Sequence, residues 1–200
     1  MQQTRLPTAE RQAEIVAAAL RLARDTSPSV ITTSEIAAAV GVSQGAVFKH
    51  FPTKDAVWLA AMRWVHRELI GCLTRAAGRA ATPRDALSAM FRAHVDFVIA
   101  HPGVPRFIFH ELQQPRDSAA KQEVRAVLQD YRTLLLDTLG QAQHQGQVAP
   151  DLDLEAAATT FVGVIQGLVM QSMLTDRPDS MSRQSDRVFT LYLRSLGGSR

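Results

Sequence analysis

At 200 residues, with 46% hydrophobic and 20% charged side chains and 9 prolines, the chain has a globular composition and enough length to bury a core, which excludes a disordered or fibrous protein. Lys and Arg number 22 against 19 Asp and Glu, a bias too mild to mark a nucleic-acid face by itself. The single cysteine, Cys72, excludes an intrachain disulfide, and the opening MQQTRLPTAER lacks the apolar core of a secretion signal, so a cytoplasmic protein is expected.

Helical periodicity runs through the sequence and no segment shows the alternation of a strand pair, so the fold class is all-α. The first helix carries Ile15, Ala19 and Leu22 on one stripe. Residues 31–54, ITTSEIAAAVGVSQGAVFKHFPTK, hold the densest set of signals. Thr32 followed by Glu35 is a capping box that starts a short helix, Thr33 to Val40. Gly41 ends that helix, and Ser43 caps a second, Gln44 to His50, after a turn of three residues. This is a helix-turn-helix, with Ile36, Ala37, Val40, Val42, Val47 and Phe51 supplying the apolar contacts.

The free face of the second short helix presents Gln44, Gly45, Ala46, Phe48, Lys49 and His50. Gln44 suits an adenine edge, Ala46 a thymine methyl, and Lys49 and His50 guanine acceptors or phosphates. A glycine inside a helix costs about 1 kcal/mol relative to alanine, so Gly45 calls for a reason such as close backbone approach. Helix starts at Thr32, Ser43 and Thr53 can offer amides to phosphate oxygens.

A longer helix follows from Thr53 through Trp58, Met62, Val65, Leu69 and Leu73 to about Gly78, bridging two parts of the chain. Another, with Thr82 as cap and Pro83 in its first turn, carries Leu87, Phe91, His94 and Val98 and stops at His101-Pro102-Gly103. The stretch 121–145 repeats Val124, Leu128, Tyr131, Leu135, Leu139 and Ala142 at helical spacing. From Asp153 onward a helix is apolar almost all round, and Arg187 to Leu196 forms the last. The best candidate for a membrane span, residues 161–174, is interrupted by Gln166 and Gln171, which argues against a membrane partner.

On Thr32-Thr33, Ile36-Ala37, Gly41-Val42-Ser43, Gly45, Phe48, His50-Phe51, Lys54 and the long helix after them, the chain resembles the TetR family of bacterial transcriptional regulators. Phe48 stands where the family usually has Tyr, which removes one hydroxyl from the phosphate-facing set. The resemblance implies about nine helices in two domains. A three-helix DNA-binding domain spans 1–54, and a larger effector-binding and dimerisation domain spans 55–200. It implies a homodimer on a palindromic double-stranded operator, most simply a repressor released by a small apolar or amphipathic effector. The DNA face is then Thr32, Thr33, Ser43, Gln44, Gly45, Ala46, Phe48, Lys49, His50 and Lys54.

Candidate effector-binding residues are Phe91, His94, Phe107, His110, Tyr131, Gln166 and Met170, an apolar set with a few polar handles. Such Met and Phe stripes are also what a packed core looks like. Gly163 and Gly167 form a small-xxx-small pattern, and with Val188, Leu191 and Tyr192 they are the expected dimer contacts. No phosphate loop, nucleophile elbow or paired zinc histidines occur, so neither an enzyme nor a cofactor is expected. Cys72 lies on an apolar stripe and reads as a buried thiol. The alternative of a helical ligand-binding or adaptor protein, whose helix-turn-helix meets protein, stays open at this level.

Overall fold

The computed structural model describes residues 7–175 and 178–197, except the side chains of residues 178–180. Among these residues the chain forms nine helices and no strand. They are α1 (Thr8–Leu22), α2 (Thr33–Val40), α3 (Gln44–His50), α4 (Lys54–Gly78) and α5 (Pro83–Ala100), then α6 (Gly103–Gln113), α7 (Ala119–His144), α8 (Leu154–Thr175) and α9 (Pro178–Ser195).

The helices gather into two compact units. One comprises residues 1–67 and 101–126, the other 68–100 and 127–200. This division differs from a boundary at residue 54: α6 and the start of α7 join the helix-turn-helix in the first unit, while α4 runs on from that unit into the second.

The core of the first unit is built from Ile15, Ala19, Ile36, Val47, Phe51, Val57 and Met62, all buried. Trp58 of α4 stacks on Phe107 of α6, with ring centroids 4.8 Å apart. The join of α1 and α6 is closer still. A Cβ placed on Gly103 would lie 1.9 Å from the Leu20 carbonyl oxygen, so only glycine lets the two backbones meet there. His101-Pro102-Gly103 ends α5 as the sequence indicates, but no sequence signal marks the helix that follows, α6. Pro102, at the N-cap position with φ −64°, starts a new helix directly after the old one ends.

In the second unit, α5, α8 and α9 pack together around an aromatic cluster. Phe91 stacks on Phe189 at 4.3 Å, and Phe161 meets Phe91, Tyr131, Phe189 and Tyr192 edge-on at 5.5 to 6.1 Å. Edge-on and offset pairs of this kind add to what burial alone gives. Arg84 ties the start of α5 to two other segments. Its guanidinium donates to the Gln147 carbonyl at 2.8 Å and to the Leu193 carbonyl near the end of α9 at 3.4 Å. α9 begins at Pro178, well before the expected Arg187.

Although α8 is long and apolar enough to cross a bilayer by length and composition, with mean hydropathy 1.4, it carries six buried residues of this unit's core. Its other face is open. Among the described residues, a Cβ at Gly163 or Gly167 would meet nothing within 4 Å, and Met170 and Leu174 are exposed.

Candidate nucleic-acid interface and effector region

The helix-turn-helix is fixed by local chemistry. Thr32 Oγ1 accepts the Glu35 amide at 3.1 Å, and Glu35 Oε2 accepts the Thr32 amide at 2.7 Å and its hydroxyl at 2.8 Å. These bonds, the backbone one foremost, hold the Glu35 carboxyl below its usual pKa, and the Lys54 charge acts in the same direction. Gly41 then turns left-handed at φ 75° and frees the Val42 amide to bond the Ala37 carbonyl at 3.0 Å, the ordinary glycine ending of a helix. Ser43 caps α3 by accepting the Ala46 amide at 3.2 Å, and Thr53 caps α4 by accepting the Ala56 amide at 3.1 Å.

α3 rests on Val47, which is fully buried, and turns Gln44, Gly45, Phe48 and Lys49 outward, with Phe48 44% exposed. A Cβ on Gly45 would find only Ser43 Oγ, at 4.0 Å. No neighbour among the described residues therefore requires glycine there, and the space it leaves opens outward. Ala46 and His50 are partly exposed; the His50 carbonyl accepts from Gln12 of α1 at 3.3 Å. That tie across 38 positions had no signal in the sequence.

Two members of the expected face are placed differently from the rest. Thr33 is buried, and its Oγ1 accepts a hydrogen bond from Gln44 Nε2 at 2.7 Å. Lys54 turns its ammonium to the connection before α2, donating to the carbonyls of Ser29, Ile31 and Pro28 at 2.8, 3.0 and 3.4 Å. Thr32 and Ser43 lie exposed at the helix starts, their side chains engaged in capping.

The seven candidate effector residues are divided between the two units. Phe91, His94 and Tyr131 lie in the second unit, where His94 Nδ1 and the Tyr131 hydroxyl are 3.1 Å apart. Burial pulls the His94 pKa down to about 4 and pushes that of Tyr131 well up. Phe107 belongs to the first unit as the partner of Trp58. His110 is also there, its ring beside the Gln114 amide at 3.3 Å. Gln166 and Met170 lie on the open face of α8. The default for a stripe of Phe, core packing, describes Phe91 and Phe107, which are 1% and 0% exposed.

A groove of about 500 Å³ opens elsewhere in the second unit, between the end of α4, the start of α5 and α7, with Thr74, Pro83, Asp137 and Gln141 on its walls. Of the expected dimer contacts, Gly163, Gly167 and Leu191 are exposed and Val188 partly so. Tyr192 departs from that expectation, being 4% exposed with its hydroxyl bonded to the Ala157 carbonyl of the same chain at 3.1 Å. Cys72 is half-buried rather than buried. Its thiol donates to the Leu69 carbonyl at 3.1 Å, and burial raises its pKa.

Comparison with known proteins agrees with this architecture. Residues 15–61 match the sequence model of the bacterial regulatory proteins of the tetR family, and residues 112–188 match that of the tetracyclin repressor-like C-terminal domain. The HTH-type transcriptional regulator BetI of Rhizobium meliloti (strain 1021) is 30% identical over 171 residues, which cover 86% of this chain and 82% of BetI. Two solved structures share the fold. FadR of Bacillus subtilis, in complex with stearoyl-CoA, has a TM-score of 0.79 at 19% identity, covering 90% of this chain and 97% of FadR. AibR, in complex with isovaleryl coenzyme A and operator DNA, has a TM-score of 0.68 at 22% identity, covering 80% of this chain and 86% of AibR. The chain belongs to the TetR family of ligand-responsive, DNA-binding transcriptional regulators.

Proposed function

We propose that this protein is a cytoplasmic repressor that binds a palindromic operator as a homodimer and is released by a small apolar or amphipathic effector. Residues 1–54 form the DNA-binding domain and 55–200 the effector and dimerisation domain. The observation that carries the reading is the outward face of α3, where Gln44, Gly45, Phe48 and Lys49 stand free of the core. A rigid short helix with an amide, a basic group and an open glycine on one face has what base-edge readout in a major groove requires.

Dimerisation is supported by the open face of α8 and by Leu191 of α9, 64% exposed. A homodimer carries two α3 helices, and reading both half-sites of a palindrome demands a spacing near one helical turn, about 34–36 Å. An effector that prefers another spacing lowers operator affinity by its differential affinity for the two states. The acyl thioesters held by FadR and AibR are the amphipathic class such a domain can take. The family's role as regulators supports a protein without turnover and without a cofactor.

The test is a titration against DNA from immediately upstream of the protein's own gene, at two salt concentrations, beside scrambled DNA. Tight, salt-sensitive binding that survives competition by scrambled DNA is the expected result. Absence of binding at both salts would reject the regulator reading in favour of protein contacts by the helix-turn-helix.

A further inference from the structure

Lys54 is the first residue of α4 and one of the ten residues of the expected DNA face, yet its ammonium is directed back into the protein. An ammonium has three N–H groups, and here three carbonyls are within hydrogen-bond distance of it: Ser29 at 2.8 Å, Ile31 at 3.0 Å and Pro28 at 3.4 Å. Ile31 is 1% exposed and Pro28 is buried, so the segment Lys54 holds is buried at both of its ends. That segment ends at Thr32, the cap of α2, followed by Thr33, whose hydroxyl accepts the Gln44 amide at 2.7 Å. A continuous chain of bonds and covalent links thus runs from the start of α4 through residues 28–33 to the first residue of the recognition helix.

We propose that Lys54 is a positioning residue for operator recognition: it fixes residues 28–31 against α4, and through Thr33 the Gln44 amide, and it does not neutralise a DNA phosphate. This rests on the reading of α3 as the base-contacting helix. To reach a phosphate, the ammonium would have to leave three acceptors for one partner that water and counterions already screen. The three carbonyls are uncharged, so what they need from residue 54 is N–H donors at the right place, with the positive charge adding strength.

Salt dependence separates the two roles. Removing a cation that touches phosphate flattens the plot of log affinity against log salt by about 0.9 and weakens operator and scrambled DNA alike. The experiment compares wild type, Lys54→Met and Lys54→Gln on the upstream DNA and on scrambled DNA across a salt series, at a temperature where circular dichroism shows all three folded. The expected result for Lys54→Met is an unchanged slope, roughly fivefold weaker operator binding, as for loss of one hydrogen bond, and scrambled-DNA binding within twofold of wild type. Lys54→Gln, which keeps N–H donors without the charge, recovers part of the operator loss.

A slope flattened by about one unit overturns the proposal. So does Lys54→Met with wild-type operator affinity, which would make residue 54 a staple of the fold and nothing more. If Lys54→Met fails to fold, the unsubstituted protein with 15N-labelled lysine serves. An Nζ resonance protected from water and unmoved by operator supports the proposal, and coupling to 31P in the complex overturns it. Wild type that binds neither DNA overturns the base-contact reading and this inference with it, a result distinct from a flattened slope.

Discussion

Gln44 donates from Nε2 to Thr33 Oγ1 at 2.7 Å, so a buried hydroxyl on α2 holds the orientation of an exposed amide on α3. One amide proton is spent inside the protein, leaving the other and the oxygen for a base edge. A glutamine restrained in this way loses less side-chain entropy on binding than a free one. Thr33→Val keeps the shape and deletes the acceptor. With a hydrogen bond contributing about 1 kcal/mol, operator affinity should fall roughly fivefold while scrambled-DNA affinity stays put, and Thr33→Ser should retain wild-type discrimination. Competition titrations read both, and equal losses on the two DNAs would refute the coupling.

Gly103 marks a close approach of the α1 and α6 backbones. A methyl group there would stand 1.9 Å from the Leu20 carbonyl oxygen and 3.0 Å from the Arg24 nitrogen, and since both are backbone atoms neither has a rotamer to give. Gly103→Ala should cost about 1–3 kcal/mol and lower the melting temperature by several degrees, measured by circular dichroism. A stability within 0.5 kcal/mol of wild type, on the order of an ordinary surface substitution, would show that α1 and α6 are not fixed at this point.

His94 makes stability depend on pH in the acid range. Its pKa falls from 6.5 to about 4 because burial disfavours the charged ring. A histidine with a depressed folded-state value binds fewer protons than the unfolded chain between these two values, so stability rises with pH across that window. The stabilising contribution is fully present above about 6.5 and is lost as pH falls toward 4. The shift corresponds to about 3 kcal/mol at most. Denaturant titrations at pH 7, 5.5 and 4.5 should show a decline that His94→Phe largely removes. A decline of equal size in the variant would assign it to other groups.

The open faces of α8 and α9 predict the oligomeric state. Gly167→Arg puts a long charged side chain where no described residue lies within 4 Å, and Leu191→Asp puts a carboxylate in place of a side chain 64% exposed. Neither change touches the protomer's own core. The double variant should therefore melt as a monomer would while sedimenting at half the wild-type mass, and its operator affinity should fall at least a hundredfold, since each half-site is then bound alone. Wild-type sedimentation by the variant would place the interface elsewhere.

The helix-turn-helix was legible because its determinants are local. The Thr32–Glu35 box, the left-handed Gly41 and the Ser43 cap act over three or four residues, and the bounds of α2 and α3 follow from them directly. The long-range ties were not legible. Gln12 meets the His50 carbonyl 38 positions away, and Lys54 meets carbonyls 23 to 26 positions away, distances over which one sequence carries no periodic signal. For the effector region, helical spacing marks apolar side chains without revealing which unit each enters. Phe91 and Phe107 look alike on a stripe, and only the return of α6 to the first unit separates them.

That return has a practical side. Because Trp58 completes its packing with Phe107 and α1 meets α6 through Gly103, a chimera that joins residues 1–60 to a foreign sensor would lack these contacts. Trp58, 4% exposed in the intact chain, would lose its stacking partner, and the graft would be sticky and short-lived. A transplantable reader from this protein has to bring its own α6 along.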